Sequence, residues 1–273
     1  MVVSISRGSR IIKKVYILKT STQKTLIDVC RKTYSSVCDA HALPQFFDSL
    51  LIERGARSHA ILATFINNYS FDLLTKDPSV VSAIDLLFVD GIFLVHLLRC
   101  MLGLRCFRAS FDRTSLAPIV FSICERKNLR VALVGAKPRV IDSALTNIRS
   151  DHPQLNVVYV HHGYFGEDAR STILDGLVGA RPDLVVTGMG TPLQENFLVD
   201  LKARCWHGVG LTCGGFFEQT AERYSYYPNW VDRANLRWAY RLYREPGRLW
   251  RRYLLDYPRF TLRFIANNLC KHK

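Results

Sequence analysis

Residues 129–165 read LRVALVGAKPRVIDSALTNIRSDHPQLNVVYVHHGYF, and residues 182–197 read PDLVVTGMGTPLQENF. Two Val-rich runs, Val131 to Val134 and Val157 to Val160, flank an amphipathic stretch with Val140, Ile141, Ala144, Leu145 and Ile148 at helical spacing. A third run, Leu184 to Thr187, follows a second helix-length stretch. Apolar runs separated by helical crossovers predict parallel strands. The expected fold class is α/β: a Rossmann-like, mostly parallel sheet with helices on both faces. Such sheets bind ligands beyond the carboxyl ends of their strands. One of these ends carries the polar cluster Gly188-Met189-Gly190-Thr191-Pro192-Leu193-Gln194-Glu195, which points to a phosphorylated small molecule.

Outward from that core, residues 41–56 read as a helix ending at Gly55, and residues 59–66 (HAILATFI) as a buried strand leading into Asn67-Asn68. A helix follows, with Asp77-Pro78 marking its end or the next start. Residues 85–89 read as a short strand closed by Asp90-Gly91, residues 92–103 and 114–128 as helices, and residues 209–213 as a strand ending in Gly214-Gly215. Residues 1–40 are poorly assigned, with IIKKVYIL resembling a short strand and the Cys30 region a helix. The expected organisation is therefore an N-terminal segment (1–40), a Rossmann-like α/β domain (41–222) and a basic helical C-terminal appendage (223–273).

A chain of 273 residues, 48% hydrophobic and 22% charged, is an ordinary folded protein with room for a large core. The N-terminus lacks the pattern of a signal peptide, and no apolar run reaches the length of a membrane span. A cytoplasmic location is expected. The eight cysteines include no C-x-x-C pair, so free thiols are expected rather than a zinc site or a redox motif. The net charge of +14 is concentrated at the two ends. Residues 223–273 hold twelve Lys/Arg against three acids, and residues 1–32 hold eight against Asp28. Basic ends on a near-neutral body imply an anionic partner: phosphate groups, nucleic acid or an acidic membrane surface.

Several constellations carry chemistry. Asp90, between a strand and a glycine, projects into the crevice, where a carboxylate can deprotonate a hydroxyl as a general base; the plainer reading is a turn. Thr191, Pro192 and Gln194 read as an N-cap, a first-turn proline and a capping box, leaving backbone N–H groups free to face a phosphate. Gly135-Ala136-Lys137-Pro138 resembles a phosphate-facing loop but is neither a Walker motif nor a full dinucleotide fingerprint. His161 and His162, adjacent at a strand end, are expected to point apart. In the tail, Arg237, Arg241, Arg244, Arg248 and Arg251 recur at helical spacing, broken at Pro246-Gly247 into two short helices sharing a basic surface. Trp238, Tyr240, Tyr243, Trp250 and Tyr253 suit a membrane interface or a packed lid.

Six ordered pieces, Val89-Asp90-Gly91, VALVGAKPRV, Gly163-Tyr164-Phe165, GMGTPLQE, Gly214-Gly215 and RWAYRLYREPGRLWRRY, resemble the bacterial WecG/TagA/CpsF glycosyltransferases (glycosyltransferase family 26). The resemblance implies a metal-independent, inverting transferase with no cofactor. It would move a sugar from a UDP-sugar to a polyprenyl-diphosphate-linked sugar in surface polysaccharide synthesis, on the cytoplasmic face of the inner membrane. It matches Asp90 to the base, and Asn67, Gly135, Tyr164, Gly190, Gln194 and Glu195 to substrate contacts. Arg241, Arg248 and Arg251 match arginines of a membrane-docking appendage. It implies an anionic membrane surface as partner, no nucleic acid, and possible homo-oligomers. The chain departs from the pattern at Phe65, where threonine is common, at Glu218, at Tyr227-Pro228 and at Arg237. A catalytically silent homologue and a nucleic-acid-binding protein using the basic ends are the alternatives; a nicotinamide oxidoreductase lacks its glycine fingerprint.

Overall fold

A computed structural model of the chain describes residues 7–53, 58–222, 231, 236–244 and 246–269. The side chains before Ser21 and those of Arg237, Arg241, Arg248 and Leu269 lie outside this description, as does the predicted helix end at Gly55.

The apolar runs form one six-stranded sheet. Its strands are β1 (Ile61–Ile66), β2 (Leu86–Val89), β3 (Val131–Gly135), β4 (Val157–His161), β5 (Leu184–Gly188) and β6 (Val209–Thr212). The order is β2-β1-β6-β5-β3-β4 and every pairing is parallel. The runs are apolar throughout because both faces of the sheet are covered. Val131 and Leu133, with Leu184, Val186, Val209 and Leu211, face one core. Ala132, Val134 and Val185 face another, built with Ile173, Leu174 and Leu177 of α8 (Glu167–Ala180) and Phe197, Leu198 and Leu201 of α9 (Leu193–Ala203).

On the first face lie α1 (Arg7–Ser36), α2 (Leu43–Ile52), α5 (Ile92–Leu102), α6 (Leu116–Arg126) and α7 (Pro138–Asp151). Between β1 and β2 run α3 (Asn68–Leu74) and α4 (Pro78–Ala83). Asp77 caps the latter by accepting from the Val80 N–H at 3.2 Å, so Asp77-Pro78 marks a start. Gly103, at φ 59°, ends α5, and α10 (Phe216–Ala221) follows β6.

Residues 11–18, expected as a strand, lie inside α1. Two facts explain the difference. Ile11 and Val15, and Ile12 and Tyr16, are four apart, so the run fits a helical period equally well. The downstream half buries Leu26, Ile27, Cys30 and Tyr34 at helical spacing, and no glycine or proline interrupts residues 9–43.

The tail forms helices Arg237–Arg244 and Pro246–Arg251, a widened π-type turn at Arg252–Asp256, and helix Tyr257–Leu269. Phe260 and Phe264 pack on Phe71 of α3, with ring centroids 5.5 and 6.0 Å apart. Trp238 meets Phe93 of α5 edge-on at 5.6 Å. The appendage thus folds back over the carboxyl ends of β1 and β2. No described helix is long and apolar enough to cross a membrane.

Candidate active site

A cavity of about 350 Å³ opens where β1, β2, β5 and β6 end. Each wall comes from the residues just after a strand: Asn67 after β1, Asp90 after β2, Gly190 and Gln194 after β5, and Gly214 after β6. Gly190 and Gly214 take left-handed backbone conformations, at φ 79° and 54°, which glycine adopts without a Cβ penalty. Trp238, Arg252, Tyr253 and Tyr257 of the tail form the roof. The Arg252 guanidinium sits 4.0 Å over the Tyr69 ring, a cation–π contact that ties roof to floor.

Asp90 stands at the lip beside Arg108. The chain after Gly103 returns alongside β2, where Arg108 forms a single parallel bridge with Val89 and the Ala109 N–H donates to the Val89 carbonyl at 2.9 Å. From there Arg108 Nε donates to the Asp90 carbonyl at 2.9 Å and Nη2 to its Oδ1 at 3.2 Å. Nη2 also reaches Asp112 Oδ2 at 3.4 Å. One guanidinium therefore orients the carboxylate and separates it from Asp112. Among the described residues, no three His, Cys, Asp or Glu side chains are grouped as a metal ion would require.

Opposite lies the Gly188–Gln194 loop. Its helix does not start as the sequence suggested: Thr191-Pro192 is cis, Pro192 is the N-cap and α9 begins at Leu193, with no side-chain cap. The Thr191 hydroxyl points instead to Glu195 Oε1 at 3.1 Å, an oxygen that also accepts from Gln194 Nε2 at 3.1 Å and from the Thr64 hydroxyl at 2.8 Å. The Thr212 hydroxyl stands 3.0 Å from that of Thr64, so the network joins β1, β6 and the start of α9 beneath the cavity. Thr191 is not a cap because the helix starts one residue later, with Pro192, which has no side-chain acceptor, at the N-cap. Burial raises the Glu195 pKa, and the hydrogen bonds from Gln194, Thr64 and Thr191 offset only part of that rise.

Residues 37–273 match the family described as "Glycosyl transferase WecG/TagA/CpsF family". The chain belongs to the WecG/TagA/CpsF glycosyltransferase family. Among curated relatives it is 37% identical, over 213 residues (77% of this chain and 88% of the relative), to the UDP-Gal:alpha-D-GlcNAc-diphosphoundecaprenol beta-1,4-galactosyltransferase of Shigella boydii. It is 30% identical over 143 residues (52% and 54%) to the N-acetylglucosaminyldiphosphoundecaprenol N-acetyl-beta-D-mannosaminyltransferase of Bacillus subtilis (strain 168). A protein of that name from Bacillus spizizenii is 28% identical over 197 residues (71% and 74%). The α/β fold and the glycosyltransferase class expected from the sequence both stand.

In this WecG/TagA/CpsF member, Asp90, Asn67, Tyr164, Gly190 and Gln194 converge on the cavity. Tyr164 projects freely, 64% exposed. Asn67 also caps α3, its Oδ1 accepting from the Tyr69 and Ser70 N–H groups. Glu195 lies buried behind the wall rather than on it. Gly135 does not line the cavity either: a Cβ there would stand 2.4 Å from the Gly188 carbonyl oxygen, so its role is the close approach of β3 to β5. Arg251 is exposed and its neighbour Arg252 takes the roof position. The Arg241 and Arg248 side chains lie outside the described residues. His161 and His162 do not point apart; their rings are 4.4 Å from each other, because the strand ends at His161 and the next residue already turns.

Arg108 and the Tyr69 and Tyr257 rings escaped the sequence reading, whereas Trp238 and Tyr253 were read as suited to a packed lid and stand in the roof. Arg108 sits in the irregular stretch between α5 and α6, where periodicity carries no signal. Phe65, the departure from the threonine common in the family, forms an aromatic wall, stacked on Phe88 at 5.3 Å.

Proposed function

We propose that this protein is a metal-independent, inverting glycosyltransferase moving a sugar from a UDP-sugar to a polyprenyl-diphosphate-linked sugar acceptor in bacterial surface polysaccharide synthesis. The observation that carries the reading is the Asp90 carboxylate, held at the cavity lip by Arg108 and facing the Gly188–Gln194 loop. Asp90 takes the proton of the acceptor hydroxyl while that oxygen bonds to the anomeric carbon. The bond from that carbon to UDP breaks as the new one forms, and UDP leaves with the electron pair. The relatives' names fit this chemistry: a β-linked galactoside made from an α-linked nucleotide sugar is the product of inversion.

Without a metal, protein charge must receive the departing diphosphate. The basic tail, with Arg252 in the roof, supplies it. Residues 41–222 act as the catalytic body and residues 223–273 as the membrane-facing appendage. Tyr243, Trp250, Leu254 and Leu262 are exposed on the tail and suit the interface of an anionic bilayer on the cytoplasmic face of the inner membrane.

UDP release, assayed with a panel of UDP-sugars and synthetic lipid-diphosphate-GlcNAc without added metal, tests this. Acceptor-dependent release that falls about 10²–10⁴-fold in Asp90→Asn supports the reading. Near wild-type turnover in that variant overturns it.

A further inference from the structure

The edge strand β2 pairs with β1 on one side; on the other it meets the Arg108 segment at Val89 and α1, which supplies two hydroxyls. The Thr33 hydroxyl donates to its own helix at the Val29 carbonyl (2.9 Å) and accepts from the Leu87 N–H (3.0 Å). Tyr34 does something further. Its Oη accepts from the Val89 N–H at 2.9 Å and donates to the Phe107 carbonyl at 2.7 Å. Val89 immediately precedes Asp90, and Phe107 immediately precedes Arg108. One buried hydroxyl, 5% exposed as a residue, thus ties together the backbones that carry the two members of the ion pair. The ring is fixed edge-on against Phe88 (6.2 Å) and Phe107 (5.0 Å), so the Oη has little freedom to move. Tyr34 also lies upstream of residues 37–273, the span matched to the family.

We propose that Tyr34 is a positioning residue for the Asp90–Arg108 pair, which makes the N-terminal helix part of the catalytic apparatus. The proposal rests on Asp90 serving as the base. Without the Oη, the Val89 N–H and the Phe107 carbonyl lose their shared partner, the two segments are held only by the Ala109 N–H bond to the Val89 carbonyl and by Arg108 itself, and the carboxylate and guanidinium shift relative to the acceptor hydroxyl. Misplacement of reacting groups by about 1 Å costs up to about 10²-fold in rate, and that loss falls on kcat rather than on donor KM.

The full-length chain is assayed as Tyr34→Phe, Thr33→Val, Asp90→Asn and the Tyr34→Phe/Asp90→Asn pair. Tyr34→Phe is expected to lower kcat about 10- to 100-fold with the UDP-sugar KM within about 2-fold. Thr33→Val removes a comparable bond on the same strand and is expected to keep kcat within about 3-fold. In the Asp90→Asn background the Tyr34→Phe loss is expected to vanish. The proposal is overturned if Tyr34→Phe keeps kcat within about 3-fold, if Thr33→Val loses as much, or if the Tyr34→Phe loss persists without Asp90. Wild-type turnover in Asp90→Asn alone would instead remove the base assignment. If Tyr34→Phe does not fold, 4-aminophenylalanine at position 34, which keeps a donor, is compared with 4-fluorophenylalanine, which fills the space without one. Equal turnover of those two overturns the proposal, and at least about tenfold higher turnover for the amine upholds it.

Discussion

Asp90 and Arg108 meet twice, backbone and side chain at once: the guanidinium Nε holds the Asp90 carbonyl at 2.9 Å while Nη2 holds its Oδ1 at 3.2 Å. A single-point contact would leave the carboxylate free to rotate about its own Cα–Cβ bond. Both side chains are about a third exposed, 31% and 28%, so the pair's value for stability is small, at about 1 kcal/mol or less.

Its value for turnover is therefore expected to exceed its value for stability. Arg108→Lys keeps the charge but loses the planar fork. It should lower kcat/KM on the order of tenfold or more while shifting the thermal midpoint by only a few degrees. Steady-state UDP release and thermal unfolding of one preparation check both halves.

Glu195 gives a pH signature. Its pKa is raised in the folded protein, chiefly by burial, so the folded state holds this proton more tightly than the unfolded state. Its contribution is fully present below the unfolded-state value and is lost as pH rises through the folded value. Glu195→Gln, which cannot ionise, should escape that loss. The variant's unfolding midpoint relative to wild type should rise as pH climbs above the ordinary carboxylate range and level off once the folded-state group has ionised; a flat difference would refute the burial of an ionisable group here.

Gly135→Ala should be costly although it adds only a methyl group. The new Cβ would lie 2.4 Å from the Gly188 oxygen and 2.8 Å from its Cα, and both belong to the backbone, which cannot swing aside. A loss of about 3 kcal/mol is expected, read as a lower urea midpoint at unchanged slope.

Among the described residues, the thiols divide by burial. Cys38, Cys100 and Cys205 are exposed, whereas Cys30, Cys106, Cys124 and Cys213 are buried. Burial pushes the Cys30 thiol up to about 12 and that of Cys213 well above its usual value. Iodoacetamide at pH 8, followed by peptide mass analysis, should label the first three in the native protein and the other four only in denaturant.

The exposed Trp250 and Leu254 should mark the face that meets a bilayer. Replacing both by alanine is expected to weaken binding to vesicles containing anionic lipid on the order of tenfold. Raising salt should weaken the wild-type protein as well. Sedimentation with vesicles of anionic and of neutral lipid separates the two contributions.

Much of this site was legible in the sequence because strand ends announce themselves. Val131 to Val134 and Leu184 to Thr187 are apolar without alternation, and Asp90-Gly91 and Gly214-Gly215 punctuate the ends of their strands. What was not legible arises from chain segments without a period. Arg108 reaches Asp90 through one isolated bridge, and nothing local distinguishes it from other arginines. In the tail the family resemblance matched Arg251, which is exposed, while its neighbour Arg252, in the widened turn that no spacing rule anticipates, lines the cavity. Thr191 was read as a cap because local rules do not see that the helix starts one residue later, with Pro192 at the N-cap.

The division of the cavity between floor and roof sets an order of events in synthesis. Its floor is complete by Gln219, whereas every roof residue, from Trp238 to Tyr257, is translated later. A nascent chain can fold the sheet, seat Asp90 against Arg108 and present an open basin while the tail is still inside the ribosome. Enclosure comes only once the tail has emerged, so the growing protein has Asp90 in place before it has a chamber around it.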